Sequence, residues 1–376
     1  MYITQKQLEN LRRLATPGKV VVIYGARRTG KTTLVNEFLK EEREPYILVS
    51  GEDITVQAYL ASQSVEKLTA FVGSARLLVV DEAQKSPNIG LNLKLIVDHI
   101  PGIRVVATGS SSFDLARTMG EPLTGRKYTL KLFPLAQLEI GQIENRHQTD
   151  ANLESRLIYG SYPEVVLMSD NRGREQYLKE ILSSYLYKDI LELDGIRHSA
   201  KISRLLQLIA FQIGKEVSYN ELGTSLGMSK NTVERYLDLL EKAFVVQKLT
   251  GFSRNLRIEV TKNCRYYFLD NGVRNALINN FNLLQQRNDV GELWENYLVM
   301  ERLKRQEYLG QQANNYFWRT YTRHEMDFVE DREGRLFGYE MKWGKAKPRP
   351  PKAWQAAYPD GAYECITRGN YLGFIT

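Results

Sequence analysis

Apolar positions in the first part of the chain fall into short, nearly unbroken runs separated by stretches of helical periodicity. Val20-Val21-Val22-Ile23-Tyr24 is followed by a helical pattern from Lys31 to about Glu41 and then by Pro45-Tyr46-Ile47-Leu48-Val49. Arg76-Leu77-Leu78-Val79-Val80-Asp81 and Arg104-Val105-Val106-Ala107-Thr108-Gly109 repeat the theme. Runs apolar on both faces and alternating with helices are what a buried parallel sheet requires. The pattern predicts an α/β domain over residues 1–150.

The periodicity then becomes helical, and residues 151–285 are expected to form a second domain. Within it, a short helix meets a turn at Gly227, Ser229 is placed to cap a second helix, and Val233, Leu237 and Leu240 line one face of that helix. This is a helix-turn-helix pattern. The β-like Val245 to Leu249 and Cys264 to Leu269 follow it, as the wing of a winged helix would. Residues 286–376 open with an amphipathic helix carrying Leu293, Trp294, Tyr297 and Leu298. They continue into strands around Tyr316-Phe317-Trp318, Met326 to Val329 and Phe337 to Lys342. A third, α/β domain is expected there.

Composition narrows the class without naming a function. With 43% hydrophobic and 25% charged residues the chain reads as globular, and its 376 residues exceed one ordinary core. No apolar run approaches a membrane span, and the N-terminus lacks the apolar stretch of a signal peptide, so a cytoplasmic location is expected. Cys264 and Cys365 lack the spacing of a zinc site, and the four histidines are scattered. The net charge of +7 favours an anionic partner, a demand that nucleotide phosphate alone satisfies.

The chemistry concentrates after the first strand. Gly25-Ala26-Arg27-Arg28-Thr29-Gly30-Lys31-Thr32, continuing to Thr33, lies between a strand and a helix, the context in which this spacing forms a phosphate-binding loop. Its glycines let successive N–H groups face phosphate, Lys31 reaches the β/γ oxygens and Thr32 presents its hydroxyl to magnesium. Asp81 ends another strand at the edge where ligands of open α/β sheets bind, and is expected to hold magnesium. The adjacent Glu82 is expected to polarise the attacking water. Ser110, after the next strand, is the candidate for a γ-phosphate contact, and Arg126 for a guanidinium supplied to a neighbouring subunit's site.

The 25–33 segment, Val-Val-Asp-Glu-Ala-Gln at 79–84, Ala-Thr-Gly-Ser-Ser-Ser at 107–112 and Gly-Arg at 125–126 before Leu-Phe-Pro-Leu at 132–135 resemble the AAA+-related prokaryotic ATPases. Tyr-Gly-Ser-Tyr-Pro-Glu at 159–164, Tyr-Phe-Leu-Asp-Asn-Gly at 267–272 and Gly-Glu-Leu-Trp-Glu-Asn at 291–296 resemble the domain commonly fused to them. The resemblance implies ATP hydrolysis, a winged-helix module and a nuclease-like C-terminal fold, and no particular pathway. Asp327, then Glu340-Met341-Lys342, with Glu295 on a preceding helix, resembles the restriction-endonuclease-like arrangement, in which Asp327 and Glu340 share a metal and Lys342 orients a hydroxide. Lys345, Lys347, Arg349 and Lys352 add a basic stretch suited to phosphate.

The expected activity is therefore a magnesium-dependent ATPase coupled to DNA or to a protein partner, working as a homo-oligomer. Lys230, Asn231 and Arg235 face DNA in this reading, while Glu234, Asp238 and Glu241 weaken it and leave protein contact open. An ATP-gated nuclease and a non-enzymatic nucleotide switch are the alternatives.

Overall fold

The fold is that of a computed structural model, which describes residues 2–109, 123–186, 199–253, 264–320, 324–344 and 348–376. Ser110 lies outside these residues, as do Lys345 and Lys347. The described residues cluster into two compact units, one of Tyr2–Pro134 with Lys242–Phe244, the other of Leu135–Glu241 with Val245–Thr376.

The first unit contains α1 (Gln7–Leu14), β1 (Val20–Tyr24), α2 (Lys31–Leu39), β2 (Tyr46–Ser50), α3 (Ile54–Leu60), α4 (Val65–Val72), β3 (Leu77–Asp81), α5 (Ile89–His99), β4 (Arg104–Gly109) and β5 (Lys127–Lys131). Its sheet runs β2-β3-β4-β1-β5, and every pairing is parallel. The five residues of β1 are all buried, as an apolar run at the centre of such a sheet must be. Leu8 and Leu11 of α1, with Leu34, Val35 and Phe38 of α2, pack with Val21, Ile23, Leu77, Val79 and Val106 in one cluster. Because all five strands point the same way, the residues following β1, β3 and β4 gather at one edge.

In the second unit, α6 (Arg146–Tyr159), α7 (Ser199–Phe211), α8 (Tyr219–Leu226), α9 (Lys230–Lys242), α10 (Asn271–Leu277) and α11 (Val290–Leu309) accompany a seven-stranded sheet. The strands are β6 (Glu216–Val217), β7 (Val246–Gly251), β8 (Cys264–Phe268), β9 (Asn314–Arg319), β10 (Glu325–Arg332), β11 (Arg335–Met341) and β12 (Ala362–Ile366), in the order β12-β11-β10-β9-β7-β8-β6. One sheet thus joins strands from the stretches 151–285 and 286–376. The junction is the parallel pairing of β7 with β9, at Thr250 with Tyr316 and Gly251 with Phe317.

Two of the stretches singled out by sequence meet inside this unit. The Asp270 carboxylate caps α10 by accepting from the backbone N–H groups of Gly272 and Val273, and it also accepts from Ser161 N at 2.7 Å. Gly160 has φ +74, and a Cβ there would lie 1.9 Å from Asp270 Oδ1, so a glycine is required. These residues therefore have a structural role. Among the described residues, no helix is long and apolar enough to cross a membrane.

Candidate functional site

The phosphate loop leaves β1 at the gathering edge and enters α2. Gly25 passes so close to the neighbouring segment that a Cβ would sit 2.2 Å from the Leu132 carbonyl oxygen, and Gly30 has φ +94 at the start of α2. Within the loop, Lys31 Nζ donates to the carbonyls of Gly25 (2.9 Å) and Ala26 (3.0 Å), and the Thr29 hydroxyl donates to the Ala26 carbonyl at 2.8 Å. An ammonium held on loop carbonyls is poised for exchange onto phosphate oxygens. Ala26 and Thr29 are buried, Arg27 is half-buried, and Arg28, Thr32 and Thr33 are exposed.

Two hydroxyls converge on Asp81. Thr32 Oγ1 donates to Oδ2 at 2.9 Å, while Thr108, fully buried near the end of β4, donates to Oδ1. Thr108 Oγ1 in turn accepts the backbone N–H of Glu82 at 3.1 Å, which ties three structural elements together. Hard hydroxyl and carboxylate oxygens gathered at the start of a helix fit magnesium, so Thr32 and Asp81 would hold it, directly or through water. Glu82 has φ +48, in the left-handed region, and its carboxylate accepts from Gln84 Nε2 at 2.5 Å.

Sequence reasoning missed two residues at this site. Thr108 stands inside the run that ends β4, and only sheet register reveals that it reaches Asp81. Gln5, before α1, is 3% exposed and donates its side-chain N–H to the Thr29 carbonyl at 2.8 Å, bracing the loop. The sequence gives it no distinguishing signal, since Thr4, Lys6 and Gln7 around it are polar as well. Arg126 lies elsewhere: its carbonyl accepts from Val20 N, at the sheet edge opposite the phosphate loop, and its Nε donates to Asp98 at 2.7 Å.

In the second unit, Phe328 pairs with Tyr339 across the β10–β11 hairpin, which brings Asp327 beside Glu340 as the sequence suggests. Asp327 Oδ2 accepts from Met341 N at 2.8 Å. Glu340 accepts from Lys342 at 3.0 Å and from the Tyr363 hydroxyl at 2.9 Å. Glu295, on α11, accepts from the Tyr267 hydroxyl at 2.7 Å. Burial, and after it the Asp327 charge, push the Glu295 carboxyl up to about 8, and burial raises Asp327 as well. Arg265, a residue the sequence reading did not single out, stands in the same cluster, 3.6 Å from Glu295 and 2.9 Å from Glu325. Lys230, Asn231 and Arg235 are exposed on α9, as are Glu234 and Asp238. Arg349 and Lys352 are also exposed.

Three family models match the chain: an AAA domain over residues 17–141, and two domains of unknown function over 150–284 and 290–368. The AAA match falls within the first unit, whose five-stranded parallel sheet and phosphate loop between β1 and α2 accord with it. Similar whole chains include an uncharacterised protein of Mycobacterium tuberculosis, 29% identical over 339 residues, covering 88% of this chain and 72% of the relative. One from Methanocaldococcus jannaschii is 25% identical over 366 residues, covering 92% and 80%. Among solved structures, the Walker-type ATPase of Pyrococcus abyssi is similar with a TM-score of 0.47 and 15% identity, over 73% of this chain and 93% of that one. RuvB of Thermotoga maritima follows with a TM-score of 0.32 and 17% identity, over 64% and 85%.

Proposed function

We propose that the protein binds ATP with magnesium at the 25–33 loop, hydrolyses it to ADP and couples the cycle to DNA or to a protein partner in the cytoplasm. The observation that carries this reading is the convergence of Thr32 and Thr108 on Asp81, with Glu82 next in the chain. Lys31 exchanges its loop carbonyls for the β and γ phosphate oxygens, and the loop N–H groups and the start of α2 hold the remaining charge. When bound, magnesium supplies charge neutralisation on the β and γ oxygens. Glu82 accepts hydrogen bonds from the attacking water and orients it. Exposed Lys230, Asn231 and Arg235 support a nucleic-acid contact through the helix-turn-helix, and Glu234 and Asp238 beside them support a protein instead. Arg126 acts in this reading on the site of a neighbouring subunit, outside its own loop.

One observation favours a second reading, a slow nucleotide switch. Glu82 is held by Gln84, and a carboxylate so engaged must be released before it can serve water. Phosphate release by the full chain separates the two: the ATPase reading expects magnesium-dependent turnover that Lys31→Ala removes. Tight ATP binding without turnover favours the switch. Absence of nucleotide binding would end both.

A further inference from the structure

The fold resemblance offers Asp327, Glu340 and Glu295 as ligands of a second metal, so the partners these side chains already have decide whether a divalent ion fits. Strand alternation assembles the cluster. Arg265 and Tyr267 are two apart on β8, Glu325 and Asp327 two apart on β10, and Glu340 and Lys342 two apart at the end of β11. Contacts from Arg265 to Glu325 and Glu295, and from Tyr267 to Glu295, put these groups on one face of the sheet beneath α11.

The arrangement is crowded with positive charge and hydrogen-bond donors. Arg265 is 4% exposed, and its guanidinium lies 4.5 Å over the Phe317 ring. Packing on that ring and contact with the carboxyl groups of Glu295 and Glu325, from different elements, hold it in place. Glu340 is engaged at both oxygens, by Lys342 at Oε1 and by Tyr363 at Oε2. Asp327 is engaged by a backbone N–H, and Glu295 by a phenol. Among the described residues, no three Asp, Glu, His or Cys side chains are grouped to hold a metal ion. A buried guanidinium beside would-be ligands also repels a divalent ion aimed at the same oxygens.

We propose that Arg265 is the resident cation of this cluster, supplying with Lys342 the positive charge that a divalent ion would otherwise bring, so that the C-terminal sheet takes no metal and cleaves no phosphodiester through metal-activated water. The nuclease-like geometry then serves recognition or support. This inference stands apart from the nucleotide reading, because none of its residues belongs to the phosphate loop.

The test is a Mn²⁺ titration of the full chain followed by electron paramagnetic resonance, without nucleotide and in an Asp81→Asn background that removes the other candidate ligand. The expected result is no saturable Mn²⁺ site tighter than about 1 mM in the Asp81→Asn chain. Adding Arg265→Met creates a site at least about tenfold tighter, and adding Asp327→Asn removes it again. A saturable site in the Asp81→Asn chain that Asp327→Asn abolishes would overturn the proposal, and so would a folded Arg265→Met variant that gains no site. Should Arg265→Met not fold, Arg265→Gln replaces it under the same criteria.

Discussion

Thr32, on the first turn of α2, and Thr108, near the end of β4, donate their hydroxyls to opposite oxygens of the one Asp81 carboxylate. The carboxylate is thereby fixed in rotation before any ligand arrives. Thr108 also accepts the Glu82 N–H, so Asp81 and Glu82 share one anchor.

From this follows a distinctive outcome for Thr108→Val, which keeps the shape and removes the hydroxyl. ATP affinity should change little, because no loop N–H is touched, while turnover falls by roughly tenfold as Asp81 and Glu82 lose their common orientation. Thr108→Ser should recover most of it. Equilibrium ATP binding and single-turnover phosphate release check the split, and equal losses in both would assign Thr108 to folding alone.

Lys31→Ala and Glu82→Gln should fail in different ways. The first removes the ammonium from the phosphates and weakens ATP binding. The second keeps an isosteric side chain and preserves binding, while turnover drops by about a hundredfold. Normal turnover in Glu82→Gln would leave water orientation to another group.

Gly25→Ala tests the close approach of the loop to the Leu132 carbonyl. A Cβ 2.2 Å from that oxygen forces one segment to move, with an expected loss of about 1–3 kcal/mol in stability and of most nucleotide affinity. Denaturant unfolding and ATP titration measure the two effects. Unchanged values in both would mean that the loop shifts without cost.

Glu295 sets a pH dependence of stability. Its folded value, about 8, lies above its ordinary 4.5, so the folded chain keeps a proton that the unfolded chain has released. The contribution is complete below the unfolded value and is lost as pH rises through the folded one. Unfolding midpoints should therefore decline between these limits, and Glu295→Gln should flatten that decline. An identical slope in both proteins would assign the proton elsewhere.

Arg126 makes a half-exposed pair with Asp98, so Arg126→Ala should change stability by no more than about 1 kcal/mol. If the residue serves a neighbouring subunit, mixing Arg126→Ala with Lys31→Ala chains restores part of the turnover that each lacks. Confirmed mixed oligomers without recovery would rule that role out.

Much of the first unit is legible in sequence because its signals are local. A loop of fixed spacing follows an apolar strand, and Asp81 follows another, so β1, α2 and β3 can be read one element at a time. The alignment of Asp327 with Glu340 is legible for the same reason, since a hairpin joins neighbours in the chain. Thr108, Gln5 and Arg265 are not legible, because each acts on a residue brought near by sheet order or by a distant segment. Arg265 reaches Glu325 across strands β7 and β9, which the order of the chain does not announce.

The parallel seam between β7 and β9 also bears on how the chain acquires its shape. On a ribosome, β6, β7 and β8 emerge well before residues 314–319, and until those arrive β7 presents an open row of backbone donors and acceptors. Completing the sheet requires β9, then β10 and β11, and finally β12. Between the emergence of β7 and that of β9 the nascent chain therefore carries an unprotected strand edge, and truncation before β9 leaves that strand open to pairing with other chains.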